Sequence, residues 1–109
     1  MLDLIGVQET ALSTSTVATV DGRTAVRVVE GRGLDVAIAE AVLEAGSFGD
    51  LATRSVQRHT DAGSMVATVL VEDGEGRRAV GSEVGDPASV YAVGRAALRA
   101  GEAATDLRG

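Results

Sequence analysis

The feature that most constrains the fold is an internal echo, because Val-Ala-Thr-Val occurs at residues 17–20 and again at 66–69. Matching residues on either side of the echo include Val7 with Val56, Ser15 with Ser64, Gly31 with Gly85, and Val36 with Val90. Self-similarity of this kind indicates that one supersecondary unit has been duplicated. We therefore predict two repeats, residues 2–48 and 50–103, in a single domain spanning residues 1–109.

The first repeat is predicted to contain three strands followed by a helix. A first strand over 2–12 and a polar turn over 13–16 precede the echo. The dipeptide Asp21-Gly22 after the echo is a strong signal for a tight hairpin. The next segment, 23–30, alternates as a returning strand. Apolar residues then recur at helical spacing over 34–45.

The second repeat follows the same order, with five extra residues in the loop after its copy of the echo. Its helix is predicted to start at residues 86 and 87, because aspartate suits an N-cap and proline suits the first helical position. Gly101 is the expected end of this helix, and Gly46 is the expected end of the first. Residues 105–109 are expected to form a polar tail.

These patterns predict an α+β protein, a tandem duplication of a βββα unit with pseudo-two-fold symmetry and with helices packed on antiparallel sheet. Aromatic residues make up only 2% of the chain, as Phe48 and Tyr91. The core must therefore be built from valine, alanine, leucine and isoleucine. Such small side chains bury little area each, which favours completion of the core by a partner surface.

Composition excludes several classes of function. The formal net charge of −6 argues against binding to nucleic acid or to an anionic membrane surface. The absence of cysteine excludes disulfides and thiolate chemistry. The start of the chain lacks a basic segment and a long apolar core, and the apolar run over 65–71 is too short to span a bilayer. We expect a cytoplasmic protein without a cofactor or a metal site.

Three segments carry a resemblance to a known family: 21–23, 31–37, and 59–62 leading into 65–69. Together they resemble the C-terminal regulatory, dimerisation domain of 2-isopropylmalate synthases and citramalate synthases. The resemblance covers roughly residues 2–100. The sequence departs from the family at Leu34, where members often have proline, and in the few polar groups at the start of the second helix.

The resemblance implies a non-catalytic allosteric domain in leucine biosynthesis. In that family the domain dimerises, and leucine or isoleucine binds between the repeats near the dimer interface and inhibits a separate acyltransferase barrel. That barrel holds the divalent metal, whereas His59 is the only histidine in this chain. The expected partners are therefore a branched-chain amino acid and either a second copy of the chain or a catalytic domain.

The glycine-marked helix starts are the candidate binding site, because free N–H groups at a helix N-terminus attract a carboxylate. Glycine permits close approach of a ligand, aspartate can face its ammonium group, and apolar residues can line its side chain. The candidate residues are Gly31, Gly33, Asp35, Val36, Gly85, Asp86 and Tyr91. In the other interpretation, the glycines only turn a strand into a helix and Asp86 only caps it.

Two further interpretations remain open at the level of sequence. His59 and Asp61 could act as a proton-transfer pair, although a general base usually needs a pocket and an orienting partner. A histidine at a strand end beside a turn aspartate is the favoured explanation of the pattern, so no catalytic residue is predicted. The other interpretation is a structural dimerisation or protein-interaction module that binds no metabolite.

Overall fold

The computed structural model describes residues 2–31 and 33–107. The elements are β1 (Leu2–Glu9), β2 (Ser13–Val20), β3 (Arg23–Glu30), α1 (Leu34–Ala45), β4 (Ala52–Asp61), β5 (Ser64–Glu72), β6 (Arg78–Gly85) and α2 (Tyr91–Leu107). Two antiparallel three-stranded sheets result, sheet 1 in the order β1-β2-β3 and sheet 2 in the order β4-β5-β6. The predicted α+β class, with helices on antiparallel sheet, is confirmed.

Tight turns set the strand register in both sheets. Asp21 and Gly22 join β2 to β3 with φ values of 50° and 80°, as the hairpin signal predicted. Ala62 and Gly63 join β4 to β5 with φ values of 49° and 84°. The central residues of both turns thus have positive φ, which matches the twist of the flanking strands.

The polar turn predicted over 13–16 is wrong, because β2 already begins at Ser13. The chain instead turns between Thr10 and Ser13, whose backbone and side chains are hydrogen-bonded to each other. Thr14 and Thr16 alternate inward along β2 and are buried. Their β-branched side chains suit a pleated strand better than a turn.

The two copies of the echo occupy the central strand of each sheet. Ala18 pairs with Ile5 and Ala25 in sheet 1 and is fully buried. Ala67 has the same central place in β5 and is also fully buried. The helices cover this side of each sheet, α1 on β2 and β3, and α2 on β5 and β6.

The helices also join the two halves of the chain. They pack on each other, and each contacts the first strand of the other half, α1 on β4 and α2 on β1. Gly94 permits this approach, since a Cβ there would lie 2.7 Å from Ile5 Cδ1 and 3.3 Å from Val42 Cγ2. α1 consequently has buried residues on nearly every side. None of the helices in residues 2–31 and 33–107 is both long and apolar enough to cross a membrane.

The second helix differs from its prediction at both ends. It begins at Tyr91 instead of residue 87, because the Asp86 carboxylate accepts from the N–H of Ala88 and closes a separate turn. It continues to Leu107 through Gly101, the predicted end, because Gly101 packs on another part of the chain. The tail predicted over 105–109 is thus helical to residue 107, and its last two residues lie outside the described part. The predicted first helix is confirmed, with Gly46 as its C-cap.

Candidate functional site

A cleft of about 590 Å³ lies where the start of α1 meets the segment that leads into α2. The middle of β4 forms its third side. Its lining residues are Gly33, Leu34, Asp35, Val36, Val56, Arg58, Ala88 and Val90. We call it the junction cleft, because residues from both halves of the chain build it. Its volume falls within the range of small-molecule sites.

Local sequence explains why α1 starts with an open end. Gly31 and Gly33 have φ values of 70° and 85°, a region that glycine adopts without the penalty other residues incur. Gly33 is the N-cap of α1 and contributes no side-chain hydrogen bond to it. The first-turn N–H groups therefore lack a side-chain cap, and the positive end of the helix dipole lies beside the cleft.

An ion pair between α1 and β4 forms the polar part of the junction cleft. The Arg58 guanidinium donates from Nε and Nη2 to the two carboxylate oxygens of Asp35, each over 2.7 Å. Hydrogen bonding to Asp35 raises the pKa of Arg58 above its ordinary value, against a smaller lowering by burial. The side chains are 29% and 27% exposed, so solvent still reaches both charges.

Arg58 connects a third segment as well. Its Nη1 donates to the carbonyl oxygen of Pro87 over 3.3 Å. One side chain on β4 therefore reaches both the start of α1 and the turn that precedes α2. Breaking the ion pair would therefore alter contacts at the start of α1 and in the turn before α2.

The rest of the cleft wall is aliphatic. Leu34, Val36, Val56 and Val90 are each partly buried and present branched side chains. Among the described residues, the lining therefore combines the positive charge of Arg58, the negative charge of Asp35 and a branched apolar surface.

The structure brings some of the predicted site residues together. Gly33, Asp35 and Val36 line the junction cleft, and Gly31 lies in the turn that leads into it. Val90, which follows the turn before α2, completes the set from the second half. The segment before α2 thus lies beside the start of α1, but the predicted residues Gly85, Asp86 and Tyr91 do not line the cleft.

The other three predicted residues do not line the junction cleft. Gly85 lies close to α2, where a Cβ would come within 2.8 Å of Ala92. Asp86 closes the turn through its hydrogen bond to Ala88. The hydroxyl of Tyr91 accepts from the N–H of Ile5 over 3.4 Å, and its ring lines a second, smaller cleft of about 240 Å³.

Sequence patterns did not single out Arg58, Leu34, Val56 or Ala88 as site residues. Arg58 occurs in the mostly polar strand β4, and its partner Asp35 is 23 residues away in sequence. No local spacing marks such a pair.

The surroundings of His59 and Asp61 do not favour a role as a proton-transfer pair. Both are exposed, and His59 lies opposite Val66 on the face of sheet 2 away from the helices. Within the described ranges, 2–31 and 33–107, no group of three or more histidine, aspartate and glutamate side chains is arranged to hold a metal ion.

Fold and cleft together define a class: an α+β domain of two helix-covered, three-stranded antiparallel sheets with a polar and aliphatic cleft at their junction. No protein-family model matches the chain, and no curated protein matches it significantly. The resemblance to the synthase regulatory domain therefore stays a proposal.

Proposed function

We propose that this chain is a non-catalytic allosteric domain, resembling that of 2-isopropylmalate synthase, which senses a branched-chain amino acid similar to leucine. The observation that carries the proposal is the junction cleft. It places the Asp35–Arg58 pair, the open start of α1 and an aliphatic wall around one volume. An amino acid offers a complementary carboxylate, ammonium group and side chain.

The proposal includes a tandem duplication with pseudo-two-fold symmetry. Three observations support it: the repeated βββα order, the echo in both central strands, and the contact of each helix with the first strand of the other half. A ligand at the junction of such repeats contacts both copies. That position is suited to sensing how the copies are packed.

The mechanism we propose is a population shift. A ligand that touches α1, β4 and the segment before α2 stabilises one arrangement of the two halves over another. A homodimer partner or an associated catalytic domain then responds to that arrangement. In leucine biosynthesis, the responding enzyme would be the acyltransferase of the pathway.

Titration calorimetry with leucine, isoleucine and valine tests the proposal. We expect saturable heat with at least one of them, together with a rise in the melting temperature of the chain. Glutamate and lysine serve as controls, because the aliphatic wall offers no partner for a charged side chain. Absence of both heat and thermal shift with all three branched amino acids would refute ligand binding.

A second candidate function is a dimerisation or interaction module without a metabolite, and the outer sheet faces favour it. Val26 and Val28 on sheet 1 are 56% and 63% exposed, and Val80 and Val84 on sheet 2 are 53% and 61% exposed. Exposed apolar patches often mark protein contacts. Sedimentation analysis tests this candidate: a dimer weakened by Val26→Thr with Val28→Thr, in a chain that binds no amino acid, would support it.

A further inference from the structure

We propose that the Asp35–Arg58 ion pair opens when the ligand binds, and that its two charges are exchanged for the two charges of the amino acid. Asp35 then accepts from the α-ammonium group, and Arg58 donates to the α-carboxylate. This inference rests on the proposed function, since it specifies how the same cleft recognises its ligand.

The geometry of the pair supports an exchange. Arg58 donates to both oxygens of Asp35 in a planar, two-bond arrangement, and a guanidinium can form the same arrangement with any carboxylate. An α-amino acid carries its carboxylate and ammonium on one carbon, so its charges are as close together as those of the pair. Every charge that loses a partner in the exchange gains another.

The exposure of the pair makes the exchange feasible. More than a quarter of each side chain is in contact with solvent, and partly exposed ion pairs contribute little net stability. The two side chains lie on different elements, Asp35 on α1 and Arg58 on β4, so they can separate without unfolding either element. Neither charge needs to cross a dry core.

The exchange also links binding to the packing of the two halves. In the free chain, Arg58 ties the start of α1 to the carbonyl of Pro87 before α2. A bound amino acid would lie between Arg58 and Asp35. It would replace their direct hydrogen bonds by bonds from each residue to the ligand. The spacing of the helix starts then depends on the ligand.

Single-charge analogues test the exchange on the unmodified protein. Isocaproate keeps the carboxylate and side chain of leucine, whereas isoamylamine keeps the ammonium group and side chain. Because each analogue leaves one protein charge without a partner, we expect both to bind at least about tenfold more weakly than leucine. Calorimetry measures all three affinities.

Variants of the pair assign each charge. Asp35→Asn is expected to weaken leucine about tenfold or more, because the ammonium group loses its partner, but to strengthen isocaproate, because no carboxylate competes for Arg58 or is left unpaired. Arg58→Met is expected to weaken leucine and isocaproate but to strengthen isoamylamine, because Asp35 is then free to accept from its ammonium group. Loss of packing alone would weaken the three ligands alike, so this crossed pattern separates recognition from a structural role.

The control is the Arg99–Glu83 pair, in which Nε donates to Oε1 over 2.9 Å and which lines the second, smaller cleft instead of the junction cleft. Glu83→Gln and Arg99→Met are expected to leave all three affinities unchanged. If these variants weaken leucine while Asp35→Asn does not, the second cleft is the site and the exchange is refuted.

The outcomes distinguish this inference from the proposed function. If leucine binds but both analogues bind as tightly, the exchange is wrong and the sensor remains. If leucine, isoleucine and valine all fail to bind the unmodified chain, the proposed function and the exchange fall together. Circular dichroism melting of each variant confirms that it is folded before its affinity is measured.

Discussion

Gly101 of α2 lies against the aromatic ring of Phe48, so that a Cβ atom at residue 101 would stand 2.5 Å from the ring's Cδ2. The ring follows α1 in sequence and belongs to the first half, whereas Gly101 belongs to the second. The contact explains why α2 continues past a residue that ends many helices. Here glycine provides space for a neighbour.

This contact predicts that Gly101→Ala destabilises the chain, although alanine favours helix. Overpacking costs about 1–3 kcal/mol, and the helix propensity gain returns only about 1 kcal/mol. We expect a net loss of up to about 2 kcal/mol in the free energy of unfolding, measured by urea denaturation. In a Phe48→Leu background the loss should shrink; an equal loss in both backgrounds would refute the ring contact as its cause.

A larger effect is predicted at Gly81 on β6. A Cβ there would overlap the backbone of Ala96 and Ala100 in α2, and backbone cannot move aside as a side chain can. We expect Gly81→Ala to cost about 3 kcal/mol or more, at the upper end of overpacking effects. Gly74→Ala is the matched control, because nothing lies within 4 Å of its added Cβ. Urea denaturation showing similar stability for both variants would contradict the close packing of α2 on sheet 2.

We predict that Asp73, in the loop between β5 and β6, makes a pH-dependent contribution to the free energy of unfolding. Burial acts to raise the pKa of Asp73. Hydrogen bonds from the N–H groups of Arg77 and Glu75 and from the Arg77 guanidinium outweigh it, so the pKa lies below its ordinary value. Because the folded pKa is depressed, the stabilisation is complete above the unfolded pKa and is lost as pH falls through the folded pKa.

The test compares the wild-type chain with Asp73→Asn by chemical denaturation across the acidic range. The stability difference should be largest at neutral pH and should shrink as the medium becomes acidic. Glu75→Gln is the control, since the Glu75 side chain is 75% exposed and should give a much smaller difference. A difference for Asp73→Asn that stays constant with pH would show that the carboxylate charge is not responsible.

The parts of the fold that were predictable from sequence have local causes. Asp21-Gly22 specifies its hairpin through positive φ, and the apolar stripe over 34–45 specifies α1. The start of α2 was misjudged because an aspartate that caps a helix and one that closes a turn carry the same sequence signal. Its end was misjudged because Gly101 is placed by its contact with Phe48.

The residues of the candidate site likewise fall into those that local sequence predicts and those that it does not. Gly33, Asp35 and Val36 were predictable because a glycine-marked helix start is a local feature. Arg58 was not, because its role depends on β4 lying beside α1, a contact across the junction of the two halves. Such contacts depend on tertiary packing, which the periodicity of a single strand does not encode.

The apolar wall of the junction cleft yields the last prediction. Val90→Ala removes two methyl groups that face the proposed ligand side chain, which corresponds to about 1.5 kcal/mol of apolar contact. We expect leucine affinity to fall about tenfold, with a smaller effect on valine, whose shorter side chain reaches less of the wall. Val84→Ala is the control, because Val84 lies on the outer face of sheet 2 and is largely exposed. Calorimetry should give unchanged affinities for Val84→Ala; equal losses in both variants would place the ligand outside the junction cleft.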